Sequence, residues 1–213
     1  MKNYKTYIFD LDGTLIDSRA DITAGANYAL NKLGLSSKDS KEIISYTGKG
    51  LKHLVKSILP NNSTDEKVIE AYNYLKFYYE TKATLSTPYK NVLELLEKLQ
   101  IDSKLFIVTN KTEKATMSIL SFLDMTKYFK AIYGADSLKE KKPSPYPINY
   151  ISEKFNINKK DILFIGDSIT DYRTSIASKV DFLLVEHGFE SKEIRDSIKS
   201  PKIPSFNLEY FNY

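Results

Sequence analysis

Asp10 and Asp12 stand two residues apart, directly after the apolar run Tyr7-Ile8-Phe9. In an extended strand such residues project to the same side, so two carboxylates are presented together. Ionised carboxylates held close repel one another unless a cation, a hydrogen-bond network or a shared proton compensates. Gly13 follows at once and lets the backbone turn sharply. A strand ending in a paired-acid loop points to a phosphate or metal site, and three further stretches carry complementary groups. Thr109-Asn110-Lys111 offers a hydroxyl and a helix-start amide suited to phosphate oxygens. Lys141-Lys142-Pro143-Ser144-Pro145 holds a cation on a proline-stiffened turn, and Gly166-Asp167-Ser168-Ile169-Thr170-Asp171 adds two acids beside a glycine. Several acids with one lysine and one threonine describe a hard-oxygen cage suited to Mg²⁺ beside a phosphate cradle.

One architecture would bring these stretches together. Strand-like runs recur at Thr6–Phe9, Lys104–Thr109, Ala131–Tyr133, Ile162–Ile165 and Phe182–Val185, several of them continuously apolar as in parallel strands covered on both faces. Between them lie helical patterns: Val92, Leu95, Leu96 and Leu99 share a face, as do Ala115, Ile119 and Leu123. The alternation predicts an α/β fold, a doubly wound parallel sheet, which gathers ligand groups at the carboxyl ends of its strands. Residues 16–85 break the rhythm with helix patterns alone. The first carries Ile22, Ala26, Ala29, Leu30 and Leu33, with Asp17 or Ser18 as its cap and Gly34 as its stop. A second covers Ser40–Tyr46, a third runs through Leu51, Leu54, Val55 and Ile58 to a stop at Pro60, and a fourth starts near Asp65. A small α-helical cap domain (16–85) inserted into a core made of 1–15 and 86–213 is the expected organisation, with a hinge at Ser86-Thr87-Pro88. The end of the chain, with Pro201 and Pro204, reads as loosely organised.

Composition sets limits on function. The chain of 213 residues has no Cys, which excludes disulfides, thiolate zinc sites and cysteine nucleophiles and fits a cytoplasmic location. No apolar run approaches the roughly 18 residues needed to span a bilayer, and the start lacks the apolar stretch of a secretory signal, so no membrane is expected. The formal charge of +4, from 31 basic and 27 acidic residues, is mild and spread along the chain. It argues for no nucleic-acid partner. Tyr72, Tyr74, Tyr78 and Tyr79 invite a base-stacking reading, but Tyr72 and Tyr79 fall on the apolar face of their helix and belong to a core. His53 and His187 receive no role, and a monomer is the default state.

Across nearly its whole length the chain resembles the haloacid dehalogenase-like phosphatase superfamily, and within it the phosphoglycolate phosphatase branch. The resemblance rests on Asp10-Leu11-Asp12-Gly13-Thr14-Leu15 with Asp17-Ser18, on Val108-Thr109-Asn110-Lys111, on Gly134-Ala135-Asp136-Ser137-Leu138 leading to Lys142-Pro143-Ser144-Pro145, and on Gly166-Asp167 with Asp171. The loop Thr47-Gly48-Lys49-Gly50 is similar to the same branch. Asn91 departs from the pattern, standing where the family usually has Gly. The resemblance implies that Asp10 is a nucleophile forming an aspartyl-phosphate and Asp12 a general acid and base. It implies Mg²⁺ held by Asp10, the backbone carbonyl of Asp12 and Asp167, with Asp171 orienting the shell. Thr109, the Asn110 amide and Lys142 would neutralise the phosphoryl group, Lys141 being the solvated neighbour, and Lys49 of the cap would reach the organic end of the substrate. Thr109 and Asn110 are also expected to cap the following helix. The substrate would be a small phosphorylated metabolite, best 2-phosphoglycolate. Two other readings compete: a sugar phosphomutase, which shares the motifs and the cap, and a phospho-accepting signalling module, which would need neither Asp12 nor a cap.

Overall fold

Apolar runs too short for helices form the strands, and the amphipathic segments between them form the helices. The computed structural model describes residues 4–211. Met1–Asn3 and Asn212–Tyr213, the outer ends of the expected core, lie outside the described residues. The first half of the chain runs β1 (Thr6–Phe9), β2 (Ile16–Asp17), α1 (Arg19–Lys32), α2 (Ser40–Ser45), α3 (Leu51–Ile58), α4 (Asp65–Thr81), β3 (Thr87–Pro88) and α5 (Val92–Asp102). The second half runs β4 (Lys104–Val108), α6 (Glu113–Phe122), β5 (Ala131–Tyr133), α7 (Tyr146–Lys154), β6 (Ile162–Gly166), α8 (Ile169–Ser178), β7 (Asp181–Val185), α9 (Lys192–Ser197) and β8 (Lys202–Ile203).

Six strands pair in the order β5-β4-β1-β6-β7-β8, and every pairing in this sheet is parallel. β1 lies at its centre, with Phe9 in register with Ile107 of β4 and Ile165 of β6. The carboxyl ends carrying Asp10, Thr109 and Asp167 are therefore neighbours. Successive side chains point to opposite faces, so Phe9, Ile107 and Ile165 pack on one side with Leu95, Leu99 and Ile119. Ile8, Phe106 and Phe164 pack on the other with Ile148 and Ile151. Burial on both faces explains why these strands are continuously apolar.

Helices α1–α4 close a core of their own around Ala26, Leu30, Ile43, Val55, Ile58 and Leu75. Gly34, at φ +69, turns the chain just after α1 as expected. Ser18 occupies the N-cap position of α1 without capping it, since its hydroxyl donates instead to Asp12 Oδ1 at 2.6 Å. The two connections to the sheet are bound together. β2 and β3 pair antiparallel, Ile16 with Pro88 and Asp17 with Thr87. Asp21, only 2% exposed, accepts from the backbone N–H groups of Thr84 (3.1 Å), Leu85 (2.9 Å) and Ser86 (2.7 Å) and from the Ser86 hydroxyl (2.6 Å). The region expected to be a hinge is thus a carboxylate-filled backbone clamp.

The end of the chain differs from the expectation of a loose tail. β8 adds an edge strand, Leu184 pairing with Lys202 and Val185 with Ile203, and Phe206 (1% exposed) and Phe211 (6% exposed) enter the main core. Prolines mark where this segment turns, but its two aromatic anchors have no periodicity to announce them. Asn91 belongs to the same junction: it adopts φ 66, the left-handed region where glycine is usual and asparagine is tolerated, and its Nδ2 donates to the Phe206 carbonyl at 2.7 Å. Truncating Phe206 to Ala is expected to cost about 3–5 kcal/mol, read as a lowered midpoint in urea unfolding. A cost under about 1 kcal/mol would restore the loose-tail reading.

Candidate active site

Asp10, Thr109 and Asp167 follow immediately on β1, β4 and β6, so the parallel sheet itself converges them. Carboxylate oxygens of Asp10, Asp167 and Asp171 lie within 4.8 Å of one another, and all three residues are buried. Lys142 lies among them, its Nζ 2.7 Å from Asp10 Oδ1 and 2.7 Å from Asp171 Oδ1. Asp171 reaches this point from the first turn of α8, where it also closes a capping box with Ser168. Asp171 is thus a first-turn helix acid that also belongs to the buried acid cluster.

Three like charges packed this closely and one ammonium leave an excess of negative charge. Burial is the main cause that lifts the Asp10 carboxyl to about 7; Lys142 pulls it down while Asp171 and Asp12 push it up. Burial, then Asp171 and Asp10, raise Asp167 well above the carboxylate range, against the Phe189 N–H and Lys142. Burial opposes the Lys142 charge, but Asp10 and Asp171 outweigh it and hold the ammonium above its ordinary value.

The donor set fits a hard divalent cation. Glycines leave room for these acids: a Cβ on Gly13 would strike the Asp167 carboxylate, one on Gly188 would strike its side chain, and one on Gly166 would strike Asp171. Thr14 donates its hydroxyl to Asp167 Oδ1 (3.2 Å) and Phe189 its N–H to Asp167 Oδ2 (2.7 Å). Asp12 contributes no carboxylate to this cluster.

Asp12 is held differently from Asp10. Ser18 donates to its Oδ1, and Lys111 Nζ lies 3.0 Å from Oδ1 and 3.1 Å from Oδ2. Lys111 also lies 4.9 Å from the centroid of the Tyr79 ring, which descends from α4. Both acids, Thr109, Asn110, Lys111 and Lys142 line one cavity of about 300 Å³ between the sheet and α1–α4. Its far wall is apolar, built from Ile22, Ile44, Leu51, Leu54 and Tyr79.

Two expectations need correction. Thr109 and Asn110 do not cap the next helix; Thr112 is the N-cap of α6, and the Thr109 hydroxyl instead accepts from the Lys111 N–H at 3.2 Å. Asn110 Nδ2 donates to Gly48 O (2.9 Å) and Lys142 O (3.1 Å), joining the sheet end to the helical segment. Lys49 is exposed and its side chain does not line the cavity, because its loop turns through Gly48 (φ +86) and Gly50 (φ +91) and presents those glycines inward. Lys141 is exposed, as expected of the solvated neighbour, and its Nζ donates to the Lys49 carbonyl at 3.0 Å.

The hold of Lys111 and Ser18 on Asp12, and the loop after β7 that seals Asp167, were missed from sequence. Lys111 stood within a recognised motif, and Gly188 was the remaining signal for the loop. His187 has no catalytic position: its Nε2 bonds the Thr14 carbonyl at 3.0 Å and its ring lies 4.1 Å from that of Tyr89.

The chain is similar to known proteins in sequence and fold. The haloacid dehalogenase-like hydrolase family model matches residues 7–185. A phosphoglycolate phosphatase of Neisseria gonorrhoeae is 36% identical over 179 residues, covering 80% of this chain and 75% of that protein. The one from Nitrosospira multiformis is 32% identical over 208 residues, covering 94% and 92%. The crystal structure of a predicted phosphoglycolate phosphatase from Haemophilus somnus superposes with a TM-score of 0.90 at 28% identity, covering 96% of each chain. With the strand-end acids, the lysine and the helical insertion all in the places this architecture requires, the chain belongs to the haloacid dehalogenase-like hydrolases, as a phosphoric monoester hydrolase similar to their phosphoglycolate phosphatases.

Proposed function

We propose that the chain hydrolyses a small phosphate monoester, with 2-phosphoglycolate as the leading substrate, through an aspartyl-phosphate. The observation that carries this reading is the unequal treatment of the two acids: Asp10 lies in the buried acid cluster against Lys142, while Asp12 lies beside it, held by Ser18 and Lys111. Asp10 attacks phosphorus in line, and the bond to the leaving oxygen breaks as Asp12 delivers a proton to that oxygen. Asp12 then takes a proton from water, whose oxygen attacks phosphorus, releasing inorganic phosphate and the Asp10 carboxylate. Thr109, the backbone amide of Asn110 and Lys142 hold the non-bridging oxygens and neutralise their charge. Asp10, the Asp12 carbonyl and Asp167, with Asp171 behind them, would hold Mg²⁺, which would supply charge neutralisation at the transferring group. Residues 16–85 act as a cap domain over a core of 1–15 and 86–213, excluding water and shaping specificity. The absence of any helix long and apolar enough to cross a membrane among the described residues is compatible with a cytoplasmic setting.

Phosphate release from a panel of phosphorylated metabolites, with and without Mg²⁺, tests the reaction. Turnover of 2-phosphoglycolate only with Mg²⁺ is expected. For Asp12→Ala, kcat on an alkyl phosphate is expected to fall about 10²–10⁴-fold, and far less on p-nitrophenyl phosphate, whose leaving group needs no proton. Equal losses on both esters would remove Asp12 from the acid role. A sugar phosphomutase is the weaker reading, because the curated relatives similar to this chain are named as phosphatases.

A further inference from the structure

We infer that Lys111 is a specificity-determining residue, the cation that meets a carboxylate on the leaving alcohol; this rests on the phosphatase reading above. Among the described residues lining the cavity, the cations are Lys111 and Lys142. Lys142 is committed between Asp10 and Asp171 and to the phosphoryl end. Lys111 lies at the other end, 8% exposed in its side chain and bound to Asp12. An ammonium has three N–H donors, and the two oxygens of Asp12 engage at most two of them.

The geometry selects the chemistry of the ligand. Asp12 must face the leaving oxygen to protonate it, and Lys111 is within 3.1 Å of both Asp12 oxygens. A carboxylate on the carbon next to the leaving oxygen is two covalent bonds from that oxygen, and so falls beside Lys111. Beyond Lys111 the wall is the Tyr79 ring and aliphatic side chains of the helical segment. A carboxylate there has the third N–H of Lys111 as its charged partner, in a largely desolvated place where an unpaired anion is costly. Tyr79 over the lysine ties this recognition to α4, so the cap must be seated for the anion to be enclosed. Lys49, the cation expected from sequence to do this, stands outside the cavity.

The test compares 2-phosphoglycolate with its methyl ester, in which the carboxylate charge is gone and the phosphate is unchanged. Wild-type kcat/KM is expected to favour the acid by about 10–100-fold, as one charge-assisted hydrogen bond allows. Lys111→Met is expected to erase most of that preference, chiefly through KM for the acid, and Lys111→Arg to keep much of it. If Lys111→Met slows acid and ester by the same factor, the lysine only positions Asp12 and the inference is overturned. If the wild type hydrolyses both equally, carboxylate recognition falls while the phosphatase reading stands, whatever the variants do. If the wild type releases phosphate from neither, the inference falls with 2-phosphoglycolate as substrate, and the metabolite panel then decides the phosphatase reading separately. Circular dichroism melts of each variant separate lost recognition from lost folding.

Discussion

Asp10→Asn is expected to lower kcat by about 10⁴-fold or more, while the protein remains folded. The amide is nearly isosteric with the carboxylate but is not a nucleophile, so the aspartyl-phosphate cannot form and the loss belongs to chemistry. Stability is expected to move the other way. Burial lifts the Asp10 carboxyl from 3.8 to about 7, so without a divalent cation the folded state keeps a proton that the unfolded chain has released. The folded state therefore binds more protons between these values, and stability falls as pH rises through that window. Asparagine has no such proton to lose. Urea unfolding in EDTA at pH 7 is expected to show the variant at least as stable as wild type. Near-normal phosphate release would end the nucleophile assignment. A large destabilisation would mean that the Lys142 ion pair outweighs the repulsion among the acids.

Lys142→Met is expected to be the most damaging single change to stability near the site. The ammonium is 2% exposed in its side chain and lies 2.7 Å from both Asp10 and Asp171. Methionine fills similar volume but leaves three buried acids with no cation from the chain among them. Removing one partner of a buried ion pair costs about 3–5 kcal/mol, and that is the loss expected in metal-free unfolding. Added Mg²⁺ is expected to narrow the gap, because a cation bound only by the folded state stabilises it. Turnover is expected to fall about 10²–10³-fold even then, since a preorganised contact to the phosphoryl group is gone. A metal-free loss below about 1 kcal/mol would mean that the acids are already neutral without the lysine.

The strand-end acids were legible because the chemistry demands fixed residue types at fixed places on a parallel sheet. The strands were legible because burial on both faces makes them continuously apolar, as in Ile162–Gly166. The helices of 16–85 declared themselves through spacing and through stops such as Gly34 and Pro60. Other features depend on residues far apart in the chain. Lys111 meets Asp12 across 99 positions, and Asp21 meets Thr84–Ser86 across more than 60. No local pattern encodes such a meeting. The position of Lys49 was misread for a related reason: a lysine between two glycines is free to point either way, and only the packing of the loop decides. Phe206 and Phe211 sit in irregular backbone, where burial has no period to reveal it.

The clamp at Asp21 has a mechanical consequence. A body joined by two independent tethers can slide, tilt and twist, whereas one joined by two tethers bonded side by side keeps little beyond a single rotation. β2, β3 and the Asp21 carboxylate make the two crossings one strap. Across the cavity mouth, Asn110 holds Gly48 and Lys141 holds Lys49, two bonds to one short loop. The helical segment is therefore fixed to the sheet at the strap and again at the glycine loop. A further tie runs from Glu80 of α4 to Lys114 Nζ of α6 at 3.0 Å, so releasing the segment from the sheet costs an ion pair as well as the two hydrogen bonds at the glycines.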